Sequence, residues 1–275
     1  MSQNKTKILM CPPDFFEVDY AINPWMIGNE NNLDVELAKQ QWNNLKQTIE
    51  QFADVEVMPP ADGLPDIVFT ANAGVVVDNK AMVSRFKHPE RQGEEPLYEA
   101  AFRKLGFDIV DLPEEIKFEG AGDSLMHRGG DWVWSGYGFR TDLESHQYLK
   151  EFYQREIVSV KLVDARFYHI DTCMCPLYDG YLMYHPPAFD FDSRLAIESR
   201  VPSHKRIVVD TADAGNFACN AVNIGRNIIV NKASDYLKAR VMRDGFKLHE
   251  VDLSEFLKAG GSAKCLTLKL NEGMA

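Results

Sequence analysis

Apolar positions along the chain follow two alternating periods, long stretches repeating roughly every 3.6 residues and short runs bounded by turn residues. Over residues 33–52, Leu33, Leu37, Trp42, Leu45, Ile49 and Phe52 recur at roughly helical spacing behind the Asn31-Asn32 pair, which is suited to capping. The same patterning predicts helices over 89–105, 141–153 and 233–244, and a weaker one near 193–198. Strands are predicted at 7–11, 55–58, 66–77, 81–86, 107–112, 122–126, 132–136, 158–162, 167–176, 181–185, 207–209, 221–225, 227–231, 247–251 and 266–270. Turn chemistry at Asp78-Asn79, Gly129-Gly130, Asp179-Gly180 and Gly225-Arg226 joins many of them as hairpins.

The order strand, hairpin, helix, strand recurs at a near-constant interval. With Asn23, Asn72, Asp123, His169, Asn216 and Cys265 as markers, successive spacings are 49, 51, 46, 47 and 49 residues. Such a period suggests five copies of one ββαβ unit. A unit that small does not bury its own apolar face, so the expected fold is α/β, a five-fold ββαβ ring in the manner of a propeller. The ring predicts one domain over residues 1–275, with the polar markers converging on a central pocket.

Composition adds exclusions. The net charge of −11 argues against nucleic acid or an anionic membrane surface as the main partner. No apolar run approaches a membrane span or a signal-peptide core, so the expected location is the cytoplasm. A small-molecule substrate is the expected partner, and a homo-oligomer is compatible with this composition. Five cysteines without a C-x-x-C pair fit neither a disulfide framework nor a zinc module. No G-x-G-x-x-G or phosphate loop occurs, and no cofactor is expected.

The stretch FYHIDTCMCP, residues 167–176, looks at first like a cluster of metal ligands. Read as a strand, its period of two puts His169, Asp171, Cys173 and Cys175 on one face. C-x-C is an atypical zinc spacing and no neighbouring pair completes it, so no metal is expected and Cys173 and Cys175 read as core thiols. His169 is either a hydrogen-bonded structural residue or an acid/base group. Cys265, after the Gly260-Gly261 turn, is either a small core residue or a nucleophile. FEGAGDSL offers Glu119 and Asp123 around a glycine-rich kink, and DIVFTANAG ends an apolar run in Thr70 and Asn72.

Taken together these residues resemble the guanidine-modifying enzymes, which include arginine deiminases, dimethylarginine dimethylaminohydrolases, amidinotransferases and arginine dihydrolases and share the pentein fold, a five-bladed ββαβ ring. The resemblance runs over essentially the whole chain. It rests on Glu119 in FEGAGD, one residue longer than the family's E-G-G-D, on His169-Ile170-Asp171, on Cys265 after a glycine-rich turn, on Arg140 in GYGFRTD and on Arg91 in HPERQGEE. It implies that Cys265 attacks the guanidinium carbon, that His169, oriented by Glu119, protonates departing ammonia and then activates water, and that Asp171 and Glu119 neutralise the guanidinium. Arg91 and Arg140 would clamp the α-carboxylate, Asn23 and Asn72 would be further contacts, and Asp123 is kept beside Glu119 as a candidate.

Deiminases resemble F-T-R-D where this chain has Phe69-Thr70-Ala71-Asn72. An amide both donates and accepts, so Asn72 suits the carbonyl oxygen of a ureido product that is retained and attacked again. T-A-N-A resembles the arginine dihydrolases, which give ornithine, two ammonia and carbon dioxide. Dimethylarginine hydrolysis, single deimination and amidino transfer are the alternatives. A ribosome-binding pentein without catalysis is disfavoured by the Cys, His and Glu set.

Overall fold

Short apolar runs closed by turns make narrow sheets, and that is what the computed structural model contains over the residues it describes, 5–271. Each predicted strand run overlaps an observed strand, and the strands form five three-stranded sheets. The first joins both ends of the described chain: β1 (Lys7–Met10) pairs antiparallel with β15 (Leu268–Lys269) and parallel with β2 (Asp54–Val57). The others are β3 (Gly74–Val77), β4 (Lys80–Val83) and β5 (Asp108–Val110); β6 (Ser124–Met126), β7 (Trp132–Tyr137) and β8 (Glu156–Lys161); β9 (Met174–Pro176), β10 (Leu182–Tyr184) and β11 (Arg206–Val208); and β12 (Val222–Ile224), β13 (Asn227–Val230) and β14 (Lys247–Glu250). In every sheet the middle strand has one antiparallel and one parallel neighbour.

A parallel pair needs a crossover, and helices supply each one. They are α1 (Val35–Glu50), the pair α2 (Pro89–Gln92) and α3 (Glu95–Lys104), α4 (Ser145–Tyr153), α5 (Phe191–Arg200) and α7 (Asp235–Arg243), while α6 (Thr211–Gly215) and α8 (Ser254–Leu257) are short additions. Helix α1 starts later than its apolar pattern: Asp34, not the Asn pair, is the cap, accepting from the Leu37 amide at 3.0 Å. It buries Ala38, Trp42, Leu45 and Ile49 against the sheet of β1.

The largest departure from the sequence pattern lies ahead of the inner strands. Residues 66–77 and 167–176 are not continuous strands: Pro65–Val68, Thr70–Ala73 and Ile170–Thr172 are single 3-10 turns, and Gly120–Gly122 is another. At 169–173 the cause is local. The Thr172 hydroxyl donates to the His169 carbonyl at 2.6 Å, and the Cys173 amide donates to the Ile170 carbonyl at 3.1 Å, so these groups leave the ladder. His169, Asp171, Cys173 and Cys175 therefore do not share a strand face, although both cysteines are buried as packing.

These turns are tied together in sequence. The Ala71 amide donates to the Cys265 carbonyl at 3.0 Å, Asn72 Nδ2 to the Glu119 carbonyl at 3.1 Å, and the Ile170 amide to Asp123 Oδ1 at 2.9 Å. Asn220 Nδ2 donates to the Asp171 carbonyl at 3.1 Å, and the Lys264 amide to the Asn220 carbonyl at 3.3 Å. No described helix is long and apolar enough to cross a membrane.

Candidate active site

A cavity of about 260 Å³ is lined by Asn23, Asp66, Asn72, Arg91, Arg140 and Cys265, with Phe69 and Tyr168 as apolar wall; Glu119, His169 and Asp171 stand behind this lining, joined to it through Arg140 and Cys265. A larger cleft, about 460 Å³, lies at the opposite ends of the inner strands, near Met126, Cys175, Asn223 and Lys269, and contains none of the candidate residues.

Cys265 sits in a turn just before β15, with its Sγ 3.6 Å from Asp171 Oδ2. Asn220 clamps it: Nδ2 donates to Sγ at 3.1 Å, while Oδ1 accepts from the Lys264 and Cys265 amides. Burial and the Asp171 carboxylate push the Cys265 thiol well above its usual range, against the pull of Asn220 and Lys264. Burial also pushes Asp171 up to about 7, although Lys264 pulls it down. The unliganded site therefore holds a thiol, and a cation arriving beside it would favour the thiolate. Alkylation of Cys265 by iodoacetamide should accordingly rise about tenfold per pH unit from pH 7 to 10 without a plateau. Asn220→Ala should lower it about tenfold throughout, for loss of one hydrogen bond to the charged form. An unchanged rate would remove Asn220 from the activation of Cys265.

Glu119 is completely buried between His169 and Arg140. Its Oε2 accepts from His169 Nε2 at 2.7 Å and from Arg140 Nη1 at 3.0 Å. Burial works to raise its pKa, but Arg140 and His169 outweigh that and hold the carboxyl well below the ordinary range. Its carboxylate thus fixes the histidine ring. Gly122 allows this packing, because a Cβ there would stand 2.4 Å from Asn72 Nδ2 and 3.3 Å from the His169 ring.

Asp123 has other partners than Glu119. Its Oδ1 accepts from the Ile170 amide and its Oδ2 from the Thr141 hydroxyl at 2.7 Å, so both oxygens serve the architecture. Asn23 lines the cavity but is braced as well, donating to the Ala259 carbonyl and accepting from the Trp25 amide. Arg91 and Arg140 both reach the cavity while anchored elsewhere, Arg140 stacking on Tyr168 and donating to the Ile22 carbonyl. Asn216, a marker of the repeat, is not among the residues lining the cavity and donates to the Ala212 carbonyl of α6, the helix it follows. Asn220, four residues on, is the one that meets Cys265.

Sequence reading also passed over Asp66. It is 2% exposed, accepts from Tyr20 Oη at 2.9 Å through Oδ2, and has no hydrogen-bond partner at Oδ1. A buried, unpaired carboxylate oxygen on a cavity wall is a place for a cation. Among the described residues no three His, Cys, Asp or Glu side chains are grouped to hold a metal ion.

The sequence matches the family model described as N,N dimethylarginine dimethylhydrolase, eukaryotic, over residues 19–271. The chain belongs to the dimethylarginine dimethylhydrolase family. Within that family's reach it is similar to the N-terminal domain of ArgZ, an arginine dihydrolase of cyanobacteria solved with substrate bound, at 54% identity and a TM-score of 0.96, covering 97% of this chain and 98% of that one. The bifunctional arginine dihydrolase/ornithine cyclodeaminase AgrE of Nostoc sp. is 51% identical over 98% of this chain. The dimethylarginine dimethylaminohydrolase of Mycobacterium tuberculosis is 41% identical, covering 95% of this chain and 85% of that protein. The chain spans 38% of the length of the two full bifunctional proteins, ArgZ and AgrE.

Proposed function

We propose that this chain is an arginine dihydrolase acting in the cytoplasm on free L-arginine, through a covalent Cys265 intermediate, to give ornithine, two ammonia and carbon dioxide. The observation that carries this reading is Asn72: an amide, held between Arg91 and the Glu119 carbonyl on the cavity wall, where a deiminase would have a carboxylate. The similarity to the substrate-bound ArgZ domain supports it over almost the whole chain.

The same residues allow each step. The guanidinium enters beside Asp171 and Cys265, and its charge replaces what burial takes from the thiolate. Cys265 Sγ bonds to the guanidinium carbon, and ammonia leaves with a proton supplied by His169, which Glu119 keeps oriented. Water, losing a proton to His169, attacks the thiouronium carbon, expels the thiolate and leaves a ureido group. Held by Asn72, the ureido carbon is attacked again. A second ammonia leaves, water cleaves the thiocarbamate, and the resulting carbamate loses carbon dioxide to give ornithine. At the other end of the substrate, Arg91 and Arg140 meet the α-carboxylate and the unpaired Asp66 oxygen meets the α-ammonium. Asp66→Asn should therefore raise KM for arginine about tenfold or more with a smaller change in kcat, the cost of one charge-assisted contact made equally in ground and transition states. An unchanged KM would remove Asp66 from the substrate site.

The fold belongs to the same proposal: a single domain closed as a five-bladed pentein ring. What supports it is the shared pairing pattern of the five sheets, the use of both chain ends in one of them, and the cyclic run of hydrogen bonds from residue 265 to 71, 72 to 119, 123 to 170, 171 to 220 and 220 to 264.

Incubation of the protein with arginine, counting ammonia against ornithine and citrulline, tests the function directly. Two ammonia per ornithine is the expected result. A reaction that stops at citrulline sinks the dihydrolase reading. Inertness toward arginine with release of methylamines from methylated arginine would transfer the site to the activity named for the mycobacterial relative.

A further inference from the structure

An asparagine side chain has two unlike ends, and rotation of the amide by half a turn exchanges donor for acceptor. At Asn72 the surroundings permit one orientation. Arg91 Nη1 donates to Oδ1 at 2.9 Å, and Nδ2 donates to the Glu119 carbonyl at 3.1 Å. The reversed amide would set N–H against N–H on one side and carbonyl against carbonyl on the other. In the observed orientation the second Nδ2 hydrogen is left for a ligand, which suits a ureido oxygen and opposes an all-donor guanidinium.

Arg91 holds that orientation only because it is itself held. Glu94, at the N-terminal boundary of α3, does not cap its own helix and is 0% exposed. Its Oε1 accepts from Arg91 Nε at 2.9 Å and its Oε2 from Nη2 at 2.8 Å, a two-pronged pair that sets the guanidinium plane. Nη2 also donates to the Asp66 carbonyl at 3.1 Å, and the Phe86 ring lies 4.4 Å beneath the guanidinium carbon. Asp66 does not share this task, since its carboxylate reaches Arg91 only at 4.0 Å and is engaged by Tyr20.

We propose that Glu94 is a positioning residue that, through Arg91, fixes the Asn72 amide and thereby sets how often the ureido intermediate goes on to ornithine instead of leaving as citrulline. This rests on the dihydrolase reading, and the products of the unsubstituted protein report on that reading alone. Glu94 touches no reacting atom; its effect passes through two side chains.

The measurement is the citrulline share of products from arginine, a ratio that does not depend on how much protein is active. In Glu94→Gln one prong of the pair becomes a donor facing a donor, and the share should rise about tenfold, the size of one lost charged hydrogen bond. Glu94→Asp keeps the charge with a shorter reach and should fall between the two. Arg91→Lys, which lacks the second nitrogen for Asn72 and also loosens the α-carboxylate, should raise the share at least as much as Glu94→Gln, and Glu94→Asp serves as the test where the glutamine variant does not fold. A share that stays at the unsubstituted level in these variants, even as overall turnover falls, overturns the proposal. Citrulline as the sole product of the unsubstituted protein would instead overturn the function on which it rests.

Discussion

Replacement of Cys265 by serine should abolish ammonia release from arginine, by at least about ten-thousandfold. A hydroxyl in this position has no route to an anion: it lies in a fully buried site 3.6 Å from Asp171, in surroundings that already hold a thiol above its usual range. The proposed guanidinium substrate would favour a thiolate, whereas an alkoxide starts several pKa units higher. Cys265→Ser should still bind arginine, because the residues proposed to hold its amino-acid end, Asp66, Arg91 and Arg140, are untouched. Calorimetric titration with arginine checks that half of the expectation and a coupled ammonia assay the other. Residual turnover above about one percent would be too much for a covalent mechanism through this sulfur.

Asn72→Asp should change the product more than the rate of the first step. A carboxylate accepts at both oxygens, so it can hold a guanidinium but has nothing to donate to a ureido oxygen. Citrulline should therefore accumulate, with the ornithine yield per arginine falling about a hundredfold, the discrimination expected when a site loses the polar group that recognises its ligand. Arg91 would gain a charged partner at 72, while the Glu119 carbonyl would lose its donor and face a carboxylate oxygen. Stability is expected to fall by about 1–3 kcal/mol on the latter count, measurable as a lower melting temperature. Continued production of ornithine at the original ratio would mean that Asn72 does not hold the ureido group.

How far each site residue was legible follows from the range of the forces that place it. Cys265, His169, Glu119 and Asp171 stood out because short motifs carry them: a glycine turn, His-x-Asp and a carboxylate before a glycine-rich kink. Asp66, Asn220 and Glu94 carried no such mark. Asp66 opens an apolar run, Asn220 follows a buried cysteine, and Glu94 looks like a helix-terminal acid, so each reads locally as ordinary. Their partners lie 46, 45 and 3 residues away, and only the last is close in the chain. Asp123 looks equivalent to Glu119 in the sequence, and only the structure separates their partners, Thr141 and Ile170 for Asp123 against His169 and Arg140 for Glu119.

What the chain determined by itself was the alternation of short strands with amphipathic helices. Hydrophobic period is a local property set by backbone geometry, so Trp42, Leu45 and Ile49 announce the buried face of α1 without knowledge of what they pack on. What only the tertiary structure decided was which polar groups meet. Residues 170–172 left the strand pattern for a 3-10 turn, and that turn brought Asp171 to a cysteine 94 positions later. Such a meeting depends on hydrogen bonds between turns of separate sheets and on where burial leaves a carboxylate unpaired, quantities that exist only once distant segments have excluded water together.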